Sequence, residues 1–137
     1  VVRLSGDGNK AVALSLVNSE VTAYQLDVAS KTKTDSLTVN GYGLYTYDAA
    51  VNLDGSKVYL GTNNNTSTLV NFNSSNYTVF NQTYSAFWLG TNADHTLAIG
   101  GQYRFSIVDF ATETILDQSI GRSQSIGTVS PAGNYAV

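Results

Sequence analysis

The sequence predicts an all-β fold, and three observations carry the prediction. β-Branched and aromatic residues alternate with polar ones at a period of two, and no apolar period of 3.6 is sustained. A short phrase (strand end, tight polar turn, new strand) occurs four times, at Leu4–Ala13, Asn52–Leu60, Thr91–Ile99 and Val129–Val137. Aligned on Gly8, Gly55, Asp94 and Gly133, the copies lie 47, 39 and 39 residues apart. Four short strands repeating every 40–50 residues or so are the signature of a β-propeller blade.

The elements follow from this register. The first repeat, about residues 1–44, holds strands at Val1–Leu4, Lys10–Leu16, Val21–Asp27 and Asp35–Val39. The second, about 45–84, holds Tyr45–Val51, Lys57–Gly61, Ser67–Phe72 and Tyr77–Asn81. The third, about 85–124, holds Ser85–Leu89, Thr96–Ile99, Arg104–Phe110 and Thr114–Ile120. A partial fourth, 125–137, supplies only Ser125–Val129 and Asn134–Val137. The third and fourth strands of each blade are joined by a second recurring phrase, Leu26-Asp27-Val28-Ala29-Ser30-Lys31-Thr32 and Val108-Asp109-Phe110-Ala111-Thr112-Glu113-Thr114, with a looser copy at Val70–Asn76. Asp or Asn at its head suits a turn in which the side chain accepts backbone N–H groups.

These phrases resemble the YVTN-type (WD-like) propeller repeats of prokaryotic surface-layer and other exported proteins. The segments that carry the resemblance are Leu53-Asp54-Gly55-Ser56-Lys57-Val58-Tyr59-Leu60 and Val108–Thr114. Only Ser130-Pro131-Ala132-Gly133 keeps the family's turn proline, and there Ala replaces the Asp. The resemblance implies a propeller and no particular activity.

Composition narrows the function. The 137 residues make one propeller domain or a segment of one, and 42% apolar residues suffice for a core. Charged residues are 12%, about half the usual share of about 25%. A net charge of −3 without a basic stripe excludes nucleic acid as an expected partner. No apolar run reaches the roughly 18 residues that span a bilayer. The chain starts in strand-like sequence, so a signal peptide is expected to have been removed or never included. Absent cysteine excludes disulfides, thiolate metal sites and Cys nucleophiles. Sparse charge with abundant Asn, Ser, Thr and Tyr fits an extracellular or cell-surface protein.

Candidate chemistry is sparse. His95, the single histidine, falls in a turn and is expected to be solvated; alone it makes neither a zinc site nor a triad. Asp7, Asp54 and Asp94 recur once per blade, which spreads them around a rim and rules out paired acid–base work. Gly6-Asp7-Gly8, Gly41-Tyr42-Gly43 and Gly100-Gly101 read as turns between strands and not as a phosphate loop. Tyr42, Tyr45, Tyr47, Phe87 and Trp88 read as packing between blades. No catalytic residue, metal or cofactor is expected. Five Asn-x-Ser/Thr sequons, at Asn64, Asn65, Asn73, Asn76 and Asn81, fall inside the second blade and are candidates for covalent glycans.

The incomplete fourth blade leaves three readings open: a segment of a longer propeller, a four-bladed ring with one thin blade, or a ring or polymer completed by a neighbouring subunit. The expected function is non-enzymatic and structural: an extracellular subunit of a surface layer, sheath or filament that packs against copies of itself. Its assembly edges would be Val1, Val2, Asn134, Tyr135, Ala136 and Val137. The alternatives are a ligand- or glycan-binding propeller module of a cell-surface protein and a fragment of a larger propeller enzyme.

Overall fold

The computed structural model describes residues 1–18, 20–39, 48–61, 66–81, 88–101 and 104–120. They form three four-stranded antiparallel sheets. Blade 1 runs β1 (Val2–Leu4), β2 (Lys10–Val17), β3 (Glu20–Asp27), β4 (Thr32–Val39). Blade 2 runs β5 (Ala49–Val51), β6 (Lys57–Gly61), β7 (Thr66–Asn71), β8 (Asn76–Asn81). Blade 3 runs β9 (Trp88–Thr91), β10 (Leu97–Gly101), β11 (Arg104–Asp109), β12 (Thr114–Ile120). In each sheet the strands lie in chain order. β5 packs against both β1 and β9, so the first strands are the inner ones and β4, β8 and β12 the outer ones.

All twelve strands expected in the complete repeats are present, with shifted ends. β4 begins at Thr32 rather than Asp35, because a bulge at the Gln25/Leu26 step lets pairing with β3 continue to Asp27↔Thr32. Of the expected Tyr45–Val51 and Ser85–Leu89, the described strand residues are Ala49–Val51 and, in β9, Trp88–Thr91. Gly100-Gly101 ends β10 and is not a turn. Residues 121–137, and with them the half repeat, lie outside the described residues.

Alternation at period two gives every blade two faces, and each face packs on a different neighbour. Val12, Val21, Ala23 and Val39 of blade 1 meet Ala49, Val51, Val58, Leu60, Val70 and Phe72 of blade 2 in one core. The intervening residues of blade 2, Ala50, Tyr59 and Leu69, meet Ala98, Val108 and Phe110 of blade 3 in a second. Blade 2 is thus apolar on both faces, and strand β6 reads as a continuous run of buried residues from Val58 to Gly61. The Tyr59 hydroxyl, buried in the second core, is satisfied by Ser67 Oγ at 2.7 Å and lies 3.2 Å from Ser106 Oγ across the joint.

The turns repeat as closely as the strands. Gly8 N–H donates to Ser5 O, Gly55 N–H to Asn52 O and His95 N–H to Asn92 O, at 3.0, 3.3 and 3.1 Å. All three donors have positive φ: 74°, 73° and 53°. The structural partner of Gly8 and Gly55 is therefore His95 and not Asp94. The left-handed position fixes the alignment, and the blade spacing is 47 then 40 residues. A non-glycine there is uncommon, which hides the equivalence in the sequence.

Substitution at the joint should separate covered from uncovered positions. Phe72→Ala, 4% exposed between blades 1 and 2, should cost about 3–5 kcal/mol in denaturant unfolding. Val28→Ala, at the matching position of blade 1 and 43% exposed, should cost less than about 1 kcal/mol in dilute solution.

Candidate functional surface

The rim of β1–β2-type turns is built by short polar side chains at the turn head. Ser5 Oγ, Asn52 Oδ1 and Asn92 Oδ1 accept the N–H of Lys10, Lys57 and Leu97 at 3.0, 2.9 and 2.9 Å. Asp7 and Asp54 then tie residues on both sides of them in the turn. Asp7 Oδ1 accepts from Ser5 Oγ and Asn9 N, and Asp54 Oδ1 accepts from Ser56 Oγ and Ser56 N. These carboxylates are turn braces, each in its own blade, as their spacing implies. Hydrogen bonds from the Ser5 hydroxyl and Asn9 N–H hold the Asp7 carboxyl below its ordinary range. Burial pushes the Asp54 carboxyl up, but the Ser56 hydroxyl, Ser56 N–H and Asn52 carboxamide outweigh it and the net shift is down. The β3–β4-type turns behave as expected for an Asx head. Asp27 Oδ1 accepts Ser30 N–H at 2.8 Å, Asn71 Oδ1 accepts Ser74 N–H at 3.3 Å, and Asp109 Oδ1 accepts Ala111 and Thr112 N–H at 2.6 and 3.2 Å.

Adjacent turns lock to one another. Gly6 and Asp7 N–H donate to Asn52 and Leu53 O at 3.3 and 2.9 Å. His95, expected in solvent, is half-buried at this joint. Its Nδ1 lies 3.0 Å from Val51 O and 3.2 Å from Thr91 Oγ1. A carbonyl only accepts, so Nδ1 donates to Val51. A Cβ at Gly6 would fall 2.6 Å from the imidazole, so glycine there permits close approach of the blade 1 turn to blade 3. His95 is a packing residue linking three blades, with its exposure lost because the turns nest.

Two further groups tie the blades and escaped the sequence reading. Asp48 Oδ1 accepts Ala49 N–H at 2.8 Å and pairs with Arg3, while its Oδ2 accepts Leu89 N–H at 3.0 Å, so one carboxylate touches all three inner strands or their approaches. Lys57 Nζ donates to Phe110 O and pairs with Glu113 at 2.9 Å, and Glu113 also accepts from Asn71 Nδ2 at 2.6 Å. The Lys57 ammonium holds the Glu113 carboxyl below its ordinary range. Asp48 stands alone in sequence, with no repeat partner at the inner edge to signal it.

One large surface has no covering sheet among the described residues. The blade 1 face opposite blade 2 carries Val2 and Leu4 of β1, paired to Ala13 and Ala11, with Tyr24, Leu26 and Val28 beyond. Val2 and Leu4 are 61% and 59% exposed, whereas their counterparts Ala49 and Val51 in blade 2 are buried. Val28 matches Phe72 and Phe110, which are 4% and 3% exposed. Lys33 Nζ lies 5.9 Å over the Tyr24 ring and borders this face.

The other candidates are placed as follows. Asn73, Asn76 and Asn81 are exposed at the turn before β8 and at the two ends of β8; Asn64 and Asn65 lie outside the described residues. Val2 is exposed on the bare face and Val1, the residue before it, is exposed as well; Asn134, Tyr135, Ala136 and Val137 lie outside the described residues, as do Tyr42, Tyr45, Tyr47 and Phe87. Between blades 2 and 3, a cleft of about 400 Å3 opens on the turn rim, lined by Leu53, Asp54, Lys57, Asn73, His95 and Phe110 among others. Among the described residues no three His, Cys, Asp or Glu side chains converge as a metal site, and no helix is long and apolar enough to cross a membrane.

Comparison with solved structures identifies the fold. The RRP9 WD40 repeats align with a TM-score of 0.69 over 94% of this chain at 11% identity. U3-55K aligns with a TM-score of 0.68 over 94%, also at 11% identity. The chain spans 40% of each of those chains. No family model and no curated protein matches the sequence. The three sheets have the fold of β-propeller blades.

The turn and hub contacts give three measurable consequences. Asp27 is drawn from 3.8 to about 2 by the Ser30 N–H, the Ser30 hydroxyl and then Lys10. The folded carboxyl releases its proton more readily than the unfolded one, so its stabilisation is complete above about pH 5 and is lost as pH falls from about 4 toward 2. Asp27→Asn keeps the turn acceptor, as Asn71 does, and should flatten this acid limb in pH-dependent unfolding. Gly6→Ala should cost about 1–3 kcal/mol, and a cycle with His95→Ala should show strong coupling. Asp48→Ala should cost about 1.5–3 kcal/mol, and Arg3→Ala, at an exposed pair, less than about 1 kcal/mol.

Proposed function

We propose that this chain is a non-enzymatic propeller-type interaction scaffold that works by packing its blade 1 face against a sheet of a second copy. The observation that carries the reading is the identity of that face with the two joints inside the chain. Val2, Leu4, Ala11, Leu26 and Val28 occupy the positions that Ala49, Val51, Val58, Val70 and Phe72 use to hold blade 2 on blade 1. Val2, Leu4 and Val28 are exposed on this face, Leu26 is half-buried and Ala11 lies beneath them. Exposed apolar side chains grouped on one face favour an interaction site, and continuity with an existing joint favours a blade-like sheet as the occupant. The setting that fits low charge and clustered sequons is extracellular, in a surface layer, sheath or filament of the YVTN-type repeat class. Such a role requires neither nucleic acid nor a cofactor.

A second reading, a ligand-binding propeller module, has one observation in its favour, the cleft between blades 2 and 3 with Leu53, Lys57 and His95 on its walls.

Light scattering across a concentration series tests the first reading. The wild-type mass should rise above 14.6 kDa with concentration. Leu4→Glu/Val28→Glu should hold the chain at the monomer mass while its melting temperature changes by only a few degrees, since both side chains are exposed. A wild-type chain that stays monomeric at every concentration contradicts self-assembly and leaves the face to a further blade of another polypeptide segment.

A further inference from the structure

The three outer strands are protected unequally. β4 carries Lys33 and Asp35, and its pairing with β3 is interrupted by a bulge at Gln25/Leu26. β12 carries Asp117, and its pairing with β11 is interrupted by a bulge at Ile107/Val108. Charge and bulges are the common means by which a sheet edge is kept from pairing with another chain. β8 has neither. Its sequence is Asn-Tyr-Thr-Val-Phe-Asn, and it pairs with β7 in unbroken register from Asn71↔Asn76 to Thr66↔Asn81. The charge gap is wider than the strand: residues 58–93 contain no Asp, Glu, Lys, Arg or His. A flat, uncharged strand rich in aromatic and β-branched residues at an open edge is an aggregation site.

All five sequons of the chain lie within that uncharged stretch, and two of them bracket β8. Asn76 is its first residue and Asn81 its last, and both are exposed. Five residues apart on a strand, they project from opposite faces of the sheet edge. The Asn76 side-chain oxygen accepts Tyr77 N–H at 2.8 Å, which fixes the carboxamide at the surface.

We propose that Asn76 and Asn81 carry N-linked oligosaccharides that guard the β8 edge, replacing the charge and bulge that guard β4 and β12. Each carboxamide nitrogen would attack the anomeric carbon of a polyprenyl-diphosphate-linked oligosaccharide. A C–N bond forms, the anomeric C–O bond breaks, the lipid diphosphate leaves, and the amide proton passes to the transferase. The proposal rests on the exported setting above, but not on self-packing of blade 1.

The test uses the Leu4→Glu/Val28→Glu chain, which removes the blade 1 face from the readout, secreted from a eukaryotic host that N-glycosylates. Peptide mapping after enzymatic deglycosylation in heavy-oxygen water should mark Asn76 and Asn81. Asn76→Gln/Asn81→Gln should lower the soluble yield about tenfold and give thioflavin-positive material. Adding Thr78→Lys to that variant, a charge on the edge strand, should restore solubility without sugar. Unmodified Asn76 and Asn81, or a Gln variant as soluble as the glycosylated chain, would overturn the proposal. Failure of Thr78→Lys to restore solubility would also overturn it, because the lost function would then not be edge protection.

Discussion

A four-stranded sheet with apolar residues on both faces cannot bury either face by itself, and the rest of this structure follows from that constraint. Blade 2 meets it on both sides. Val58, Leu60, Val70 and Phe72 enter the core with blade 1, and Tyr59 and Leu69, one residue out of phase, enter the core with blade 3. Side-chain alternation thus becomes blade alternation. A one-residue slip of β6 would exchange the two cores, and the large Tyr59 ring would meet the side built for Val58.

Polar groups then fix the angle and spacing that the cores alone would leave loose. Nested turns share main-chain hydrogen bonds, glycine at position 6 admits the imidazole of His95, and the Asp48 carboxylate collects contacts from each blade near the inner strands. At mid-radius, Lys57 reaches across to Phe110 O and Glu113. Hydrogen bonds to charged groups are worth more than neutral ones. Two ion pairs, Arg3–Asp48 and Lys57–Glu113, join blades in this way, while Lys10–Asp27 lies within blade 1. The outer edge of blade 2 carries no charge, and among the described residues no sheet covers the apolar face of blade 1 opposite blade 2.

Much of this was legible because blades repeat. The period, the strands of the three full repeats and the Asx heads at Asp27, Asn71 and Asp109 could be read from alternation and turn chemistry, which are local. Alignment failed by one residue in blade 3, since the left-handed position there is filled by His95 where glycine is the usual signal. The bulges in β4 and β12 were hidden because the extra residues, near Thr34 and Leu116, are ordinary strand formers. His95 and Asp48 act between blades, and a contact over 40 or more residues leaves no local mark unless it recurs. The sequon cluster was visible from the start, but its relation to an unguarded edge needed the register of β8.

Hydrogen–deuterium exchange on the dilute chain tests most directly whether coverage by neighbours holds the structure. Amides of β6 and β7, paired on both edges and covered on both faces, should exchange slowest, and protection should fall toward β1 and β8. Strand β1 exchanging as slowly as β6 in the monomer, or β6 and β7 exchanging as fast as β8, would contradict the account.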